Sequence, residues 1–134
     1  MNSKKDIIVT GGAGFVGTNL IKLLLNKTNY KIISIDNYSS GKKKNHIKSP
    51  RIKYINGETS NIFRIIKKST NIKAVFHFGE FARIYQSFSH MNECINSNSV
   101  GSNAIFNFCL QNKIKLIYSA TSASLGNKGN DKNL

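Results

Sequence analysis

The chain has 134 residues, of which 40% are hydrophobic, and its 20 Lys and Arg against 6 Asp and Glu give a formal net charge of +14. This length fits one domain with a real core and leaves no room for two. No apolar run approaches the roughly 18 residues of a membrane helix, and the N-terminus lacks the apolar stretch of a signal peptide. We therefore expect one cytoplasmic domain without a membrane partner.

The basic charge raises the hypothesis of nucleic-acid binding. However, Lys, Asn and Ile are all abundant, as AT-rich codons produce, and the lysines are scattered except for Lys42-Lys43-Lys44 in a polar loop. We favour a solvated loop over a binding patch and expect no nucleic-acid partner. A basic surface would still attract a diphosphate-bearing ligand.

Short apolar runs alternate with amphipathic stretches along the chain. The predicted elements are a strand at 5–10, a helix at 14–27, strands at 31–36 and 52–56, a helix at 59–69, a strand at 74–78, a helix at 92–111 and a strand at 115–119. This alternation predicts an α/β fold with a parallel, doubly wound sheet, because right-handed crossovers place helices on both faces. We expect the strand order 3-2-1-4-5, with a ligand over the carboxyl ends where the order reverses.

A glycine-rich turn, Thr-Gly-Gly-Ala-Gly-Phe-Val-Gly at 10–17, joins the first strand to the first helix. Gly11 permits the tight turn, Gly14 lets the backbone approach a pyrophosphate, and Gly17 lets helix and strand pack closely. The free N–H groups and positive dipole end of the helix then face the phosphates.

Asp36 ends the second strand, nineteen residues after Gly17. A dinucleotide-binding unit needs a carboxylate there to accept hydrogen bonds from the adenine ribose hydroxyls. The same charge repels a 2′-phosphate, so the pattern predicts binding of NAD rather than NADP.

Two cysteines, Cys94 and Cys109, lie in predicted helices. We expect buried free thiols, as in a cytoplasmic protein, and favour this over a disulfide or a metal pair.

From about residue 6 to residue 126, the sequence resembles the extended short-chain dehydrogenase/reductases, in particular the NAD-dependent sugar-nucleotide epimerases and dehydratases. The segments that carry the resemblance are 10–17, Asp36-Asn37-Tyr38-Ser39-Ser40-Gly41, Gly57-Glu58, His77-Phe78-Gly79-Glu80, Asn98-Ser99-Val100-Gly101 and 118–126. The resemblance implies a Rossmann-like domain over 1–134. It implies that NAD is bound by Gly11, Gly14, Phe15, Val16, Gly17, Asp36, Asn37, Ser40, Gly41, Glu58, Thr59, Phe78, Gly79, Asn98 and Ser119.

The resemblance also places Thr121 at the family's catalytic Ser/Thr, whose hydroxyl hydrogen-bonds the sugar oxygen during hydride transfer. In the family a Tyr-x-x-x-Lys motif follows this segment, and none follows it here before Leu134. The sixth strand and the C-terminal substrate region are missing too. We therefore expect a truncated N-terminal portion that is inactive alone, from a family that acts on nucleotide-sugars and is homodimeric at full length.

One departure from the family is Glu80, which replaces a small residue. It would crowd the nicotinamide side, contact the substrate or face solvent. His77 is expected to be a packed strand histidine, and Arg83 either reaches a substrate diphosphate or lies on the surface. Two other classes of function stay open: a complete, non-catalytic NAD-binding regulatory module and a nucleic-acid binder.

Overall fold

The computed structural model of the chain describes residues 5–121. Its elements are β1 (Asp6–Thr10), α1 (Phe15–Lys27), β2 (Lys31–Asp36), a 3₁₀ turn (Lys43–Asn45), β3 (Ile52–Asn56), a 3₁₀ turn (Thr59–Asn61), α2 (Ile62–Ile65), β4 (Ile72–His77), α3 (Ile84–Ser87), α4 (Met91–Ile95), a π-helical segment (Asn96–Gly101), α5 (Ser102–Gln111) and β5 (Lys115–Tyr118).

The five strands form one parallel sheet in the order β3-β2-β1-β4-β5, which confirms the predicted topology. Strand β1 lies at the centre, and its last residue, Thr10, pairs with Ile35 of β2 on one side and with His77 of β4 on the other. The chain leaves β1 at the point where the strand order reverses. The carboxyl ends of β1, β2 and β4 therefore meet at one edge, where a doubly wound sheet binds its ligand.

The core has two parts, one on each face of the sheet. Side chains alternate along β1, so Ile7 and Val9 pack with Ile21 of α1, whereas Ile8 packs with Phe108 of α5. Helices thus cover both faces, as right-handed crossovers require. Because both faces of β1 are buried, its sequence is a continuous apolar run. A strand with one face in water would instead alternate apolar and polar residues.

The predicted helix at 59–69 is much shorter in the structure. A 3₁₀ turn and the single turn of α2 replace it, and Ile66 already has extended backbone angles (φ −103°, ψ 96°). The segment is rich in β-branched residues, which lower helix propensity, and one turn is enough to bury Ile62 and Ile66. Tertiary burial therefore sets its length rather than the apolar spacing alone.

The predicted helix at 92–111 is continuous, but it contains a π-helical segment at its centre. Gly101, at the end of this segment, packs against Thr59, and a Cβ at this glycine would overlap the Thr59 hydroxyl oxygen. π-Helical turns are frequent at functional sites because they redirect side chains within a helix. Here the segment carries Ser97 and Asn98.

The prediction of two buried thiols is correct for one cysteine only. Both are free, but Cys109 is buried in the core whereas Cys94 is partly exposed. Their helices pack at different depths: α5 lies against the sheet, while α4 is largely exposed. Among the described helices, none has the length and apolarity needed to cross a membrane.

Candidate functional site

Three of the four glycines in segment 10–17 have different surroundings. Gly11 has φ +69°, and a Cβ there would lie 2.7 Å from the Phe78 carbonyl oxygen. A Cβ on Gly17 would overlap the Gly11 carbonyl oxygen. In contrast, a Cβ on Gly14 would have one neighbour, the Gly11 oxygen at 3.3 Å. Gly11 and Gly17 therefore serve the fold, whereas the open side of Gly14 leaves room for a ligand beside the backbone.

The Asp36 carboxylate is 7% exposed and ties together two loops. Its Oδ2 accepts a hydrogen bond from the Ala13 N–H at 2.9 Å, and its Oδ1 accepts one from the Tyr38 N–H at 2.8 Å. Each carboxylate oxygen has further acceptor capacity, so these bonds leave room for a ligand hydroxyl. Gly41 is buried against Ala13 and Asp36, where a larger residue would displace the carboxylate.

A narrow cavity of about 70 Å³ opens beside Asp36 at the carboxyl ends of β1, β2 and β3. Polar groups form much of its wall, and Asn37 Nδ2 donates to both Glu58 carboxylate oxygens across it, at 3.2 and 3.3 Å. The predicted cofactor residues that line it are Gly11, Gly14, Asp36, Asn37, Ser40, Glu58, Thr59, Phe78 and Gly79.

A wider groove of about 830 Å³ continues from Gly14 along the N-terminus of α1 to the end of β5. The predicted residues that line it are Gly11, Gly14, Phe15, Val16, Gly17, Ser40, Phe78, Asn98, Ser119 and Thr121. The two spaces share Gly11, Gly14, Ser40, Phe78 and Glu80. Together they form an elongated site that crosses the switch point of the sheet.

Of the predicted cofactor residues, only Gly41 lines neither space, because it supports Asp36 from behind. Thr121 lines the wide groove at the end of the described chain, and Ser122 lies outside the described residues. Arg83 also lines the wide groove and is exposed.

A buried polar network, missed in the sequence, links β1, β4 and α5 beneath this site. Thr10 Oγ1 accepts hydrogen bonds from the N–H groups of Phe78 and Gly79 at 3.1 and 3.0 Å and lies 2.6 Å from His77 Nδ1. Because its lone pairs are occupied, the Thr10 hydroxyl donates to Nδ1. The network thus assigns the His77 proton to Nε2, which donates to Ser102 Oγ at 3.0 Å.

The network ends at Glu80. Ser102 donates its hydroxyl proton to Glu80 Oε1 at 2.7 Å, and the Tyr118 hydroxyl donates to the same oxygen at 2.8 Å. Burial lowers the pKa of His77, partly opposed by the Glu80 carboxylate at 3.8 Å, which fits a neutral ring. The hydrogen bond to Glu80 raises the pKa of Tyr118. Glu80 therefore joins the ends of β4 and β5, and of the three alternatives left open for it, a fully solvated loop acid does not fit these contacts.

The π-helical segment fixes the backbone that follows β4. Asn98 Oδ1 accepts from the Phe81 N–H at 2.6 Å, and its Nδ2 donates to the Phe81 carbonyl at 2.9 Å. The Ser97 hydroxyl donates to the Gly79 carbonyl at 3.2 Å. Glu80 lies between these two anchored residues, so its position is fixed by backbone as well as side-chain contacts.

One tyrosine, Tyr38, is followed four residues later by a lysine, Lys42, which is the spacing of the Tyr-x-x-x-Lys motif. This pair lies in the loop after β2, not after β5. The Tyr38 hydroxyl pairs with His46 Nε2 at 2.9 Å, and burial together with the Asp36 charge raises the pKa of Tyr38. A raised pKa disfavours the tyrosinate, so this pair does not supply the base of the family.

Among residues 5–121 there is no group of three or more His, Cys, Asp or Glu arranged to hold a metal ion. The polar groups of the site instead suit an organic ligand with hydroxyl and phosphate groups.

These features define a Rossmann-like dinucleotide-binding domain: a parallel sheet, a glycine turn at a helix N-terminus and an acid at the end of β2. Residues 7–133 match the family described as "NAD dependent epimerase/dehydratase family". The chain belongs to this family.

Curated and solved relatives agree with this assignment. The chain is 30% identical over 127 residues to an ADP-L-glycero-D-manno-heptose-6-epimerase of Brachyspira hyodysenteriae, a match that covers 92% of this chain and 39% of the relative. A UDP-N-acetylglucosamine 4-epimerase of Methanobrevibacter ruminantium, solved with UDP-N-acetylmuramic acid, is 28% identical with a TM-score of 0.81, covering 98% of this chain and 42% of the other. A UDP-glucose 4-epimerase of Thermotoga maritima, solved with UDP-glucose, is 26% identical with a TM-score of 0.73. That match covers 88% of this chain and 38% of the other. The chain thus spans about two-fifths of the length of these relatives.

Proposed function

We propose that this chain binds NAD and is the cofactor-binding part of an enzyme that transfers hydride at a carbon of a nucleotide-sugar. The observation that carries the proposal is that the open face of Gly14 and the Asp36 carboxylate line the same narrow cavity. A dinucleotide needs both features, one for its pyrophosphate and one for its adenine ribose.

The residues present suit each part of the cofactor. The first N–H groups of α1 have no acceptor within the helix, so those of Phe15 and Val16 are available to the pyrophosphate oxygens. Asp36 retains acceptor capacity for the ribose hydroxyls. The wide groove, which reaches Ser119 and Thr121, would take the nicotinamide half. When bound, NAD supplies the hydride acceptor, and Thr121 would hydrogen-bond the sugar oxygen.

The chain by itself is proposed to bind NAD weakly and to lack turnover. Removal of a proton from a sugar hydroxyl needs a base, and no tyrosine with a following lysine occurs after β5. A nucleotide-sugar substrate, a homodimeric full-length enzyme and a cytoplasmic location belong to the same proposal.

Titration with NAD, followed by calorimetry, tests the cofactor assignment. We expect Asp36→Asn to weaken NAD binding by about tenfold or more, because the ribose loses a charged acceptor. The amide nitrogen also cannot accept from the Ala13 or Tyr38 N–H, so one of the two loop hydrogen bonds is lost as well. The variant should also reduce the difference in affinity between NAD and NADP, because it removes the charge that repels the 2′-phosphate of NADP.

Asp6→Asn is the matched control, because Asp6 lies at the opposite, N-terminal end of β1. Both variants replace an aspartate with an asparagine and therefore change the net charge of the chain by the same amount. Unaltered NAD affinity in Asp36→Asn, or an equal loss in Asp6→Asn, would contradict the role assigned to Asp36.

A second candidate is a non-catalytic NAD-binding module, since the open side of Gly14 and the Asp36 carboxylate serve cofactor binding and need no catalytic base. Both candidates bind NAD, so the DNA that follows the Leu134 codon separates them. An open frame encoding Tyr-x-x-x-Lys supports the enzyme, and a stop codon supports the module. Both candidates imply that this chain by itself has no catalytic base. Turnover of a UDP-sugar by the chain would therefore refute both.

A further inference from the structure

Glu80 occupies the junction of the two spaces that form the site, since it lines both the narrow cavity and the wide groove. Its side chain is 23% exposed. Oε1 is held by two hydroxyl donors, Ser102 and Tyr118, from two different elements. Neighbouring backbone is pinned by Ser97 and Asn98. The carboxylate is therefore fixed at the wall of the ligand space.

This negative charge has no close cationic partner among the described residues. No lysine or arginine nitrogen of residues 5–121 lies within 4 Å of it, and its one ion-pair neighbour is His77. Arg83 lines the same groove, and Lys42 and Lys44 line an adjoining space with Glu80, but none of the three pairs with the carboxylate. The Thr10 hydroxyl donates to His77 Nδ1, which keeps the ring in its neutral form. Two hydroxyl donors stabilise the carboxylate without neutralising its charge.

We propose that Glu80 makes the site selective for the oxidised cofactor, so that NAD⁺ binds more tightly than NADH. The inference rests on the proposed function, namely that the groove holds this dinucleotide. Hydride addition brings one proton and two electrons to the nicotinamide ring and removes its positive charge. NADH is thus more negative than NAD⁺ by one charge, which a fixed carboxylate in a partly enclosed groove disfavours.

The consequence is a cofactor kept ready to accept hydride. For an enzyme that removes hydride from a sugar carbon, tighter binding of NAD⁺ holds the resting site in its reactive form. A small residue at this position would supply no such preference, so Glu80 sets a property that the glycine turn and Asp36 do not.

Equilibrium binding of both cofactor forms tests the inference, with NADH followed by its fluorescence and NAD⁺ by displacement of NADH. We expect the unaltered chain to bind NAD⁺ more tightly. In Glu80→Gln, which keeps the size and removes the charge, the ratio of the NADH Kd to the NAD⁺ Kd should fall by about tenfold. A unit charge that lay about 10 Å from the nicotinamide would change the ratio by this factor through an effective dielectric of about 20.

Two further variants control for charge and for folding. Asp6→Asn also removes one carboxylate charge, at the opposite, N-terminal end of β1, and should leave the ratio unchanged. Glu80→Asp keeps the charge and should retain most of the preference, even if the shorter side chain lowers stability. Circular dichroism and thermal melting confirm that each variant is folded.

The possible outcomes distinguish a failure of the proposed NAD binding from a failure of the role assigned to Glu80. If neither form binds, the cofactor assignment fails and this inference fails with it. If both bind and the ratio is the same in the unaltered chain and Glu80→Gln, the inference alone is wrong. A fall in the ratio for Asp6→Asn equal to that for Glu80→Gln would also overturn it, since overall charge would then be the cause.

Discussion

Gly17→Ala gives a sharp test of how the glycine turn is built. Gly17 lies in the first turn of α1 and is buried. Helix propensity alone predicts that alanine stabilises this position by about 1 kcal/mol. The structure predicts the opposite, because the new Cβ would overlap the Gly11 carbonyl oxygen and would lie 2.7 Å from the Gly12 Cα.

The magnitude follows from what must move. Both neighbours are backbone atoms of the turn, so no side chain can rotate away to relieve the contact. Overpacking of this kind costs about 2 kcal/mol. The shift must also loosen the hydrogen bond from the Gly11 N–H to the Ile35 carbonyl at 2.8 Å, which adds about 1 kcal/mol. After the gain in propensity is subtracted, we expect a net loss of about 2 kcal/mol in the free energy of unfolding.

Urea denaturation followed by circular dichroism measures this loss, and Gly14→Ala is the matched control. Its Cβ would contact only the Gly11 oxygen at 3.3 Å, so we expect a loss of about 1 kcal/mol or less. NAD binding should nevertheless fall strongly in Gly14→Ala, because the methyl group fills the open side of the turn. If Gly17→Ala is as stable as the unaltered chain, the close packing of turn and helix is not the reason for this glycine.

Two further predictions concern pH and thiol chemistry. Burial lowers the pKa of His77, so the unfolded chain takes up a proton near pH 6.5 while the folded chain does not. Stability should therefore fall as the pH drops below about 6.5, and the urea midpoint of His77→Gln should change less between pH 7.5 and 5.5; an equal slope would place the effect elsewhere. Burial raises the pKa of Cys109 to about 11, so a thiol reagent at pH 8 should label the partly exposed Cys94 first and Cys109 only on unfolding. Equal labelling rates in the folded chain would contradict the burial of Cys109.

The strands and their order could be predicted because apolar runs and the rule of right-handed crossovers leave few alternatives. Helix lengths were less predictable. Apolar spacing gave one long helix at 59–69, whereas the packing of Ile62 and Ile66 needs a single turn. Hydrophobic spacing did not indicate the π-helical segment, at whose end Gly101 packs closely against Thr59.

The residues of the site also fall into those that the sequence predicted and those that only the packing of distant elements brings together. Glycine spacing and the acid after β2 point to a dinucleotide because they reflect local backbone geometry. The polar network does not follow from any local pattern, since Thr10, His77 and Ser102 lie on three elements. The predicted strand order placed the ends of β1 and β4 side by side and could have suggested the contact between Thr10 and His77.

The sequence by itself determined the fold, the glycine turn and the position of Asp36, because each depends on residues close together in the chain or on the period of burial. Only the tertiary structure decided what Glu80 does. Its sequence neighbours leave it free to face solvent, substrate or cofactor. The hydroxyls of Ser102 and Tyr118, 22 and 38 residues away, turn it to the wall of the groove. Long-range contacts of this kind are set by how the elements pack, and no local pattern encodes them.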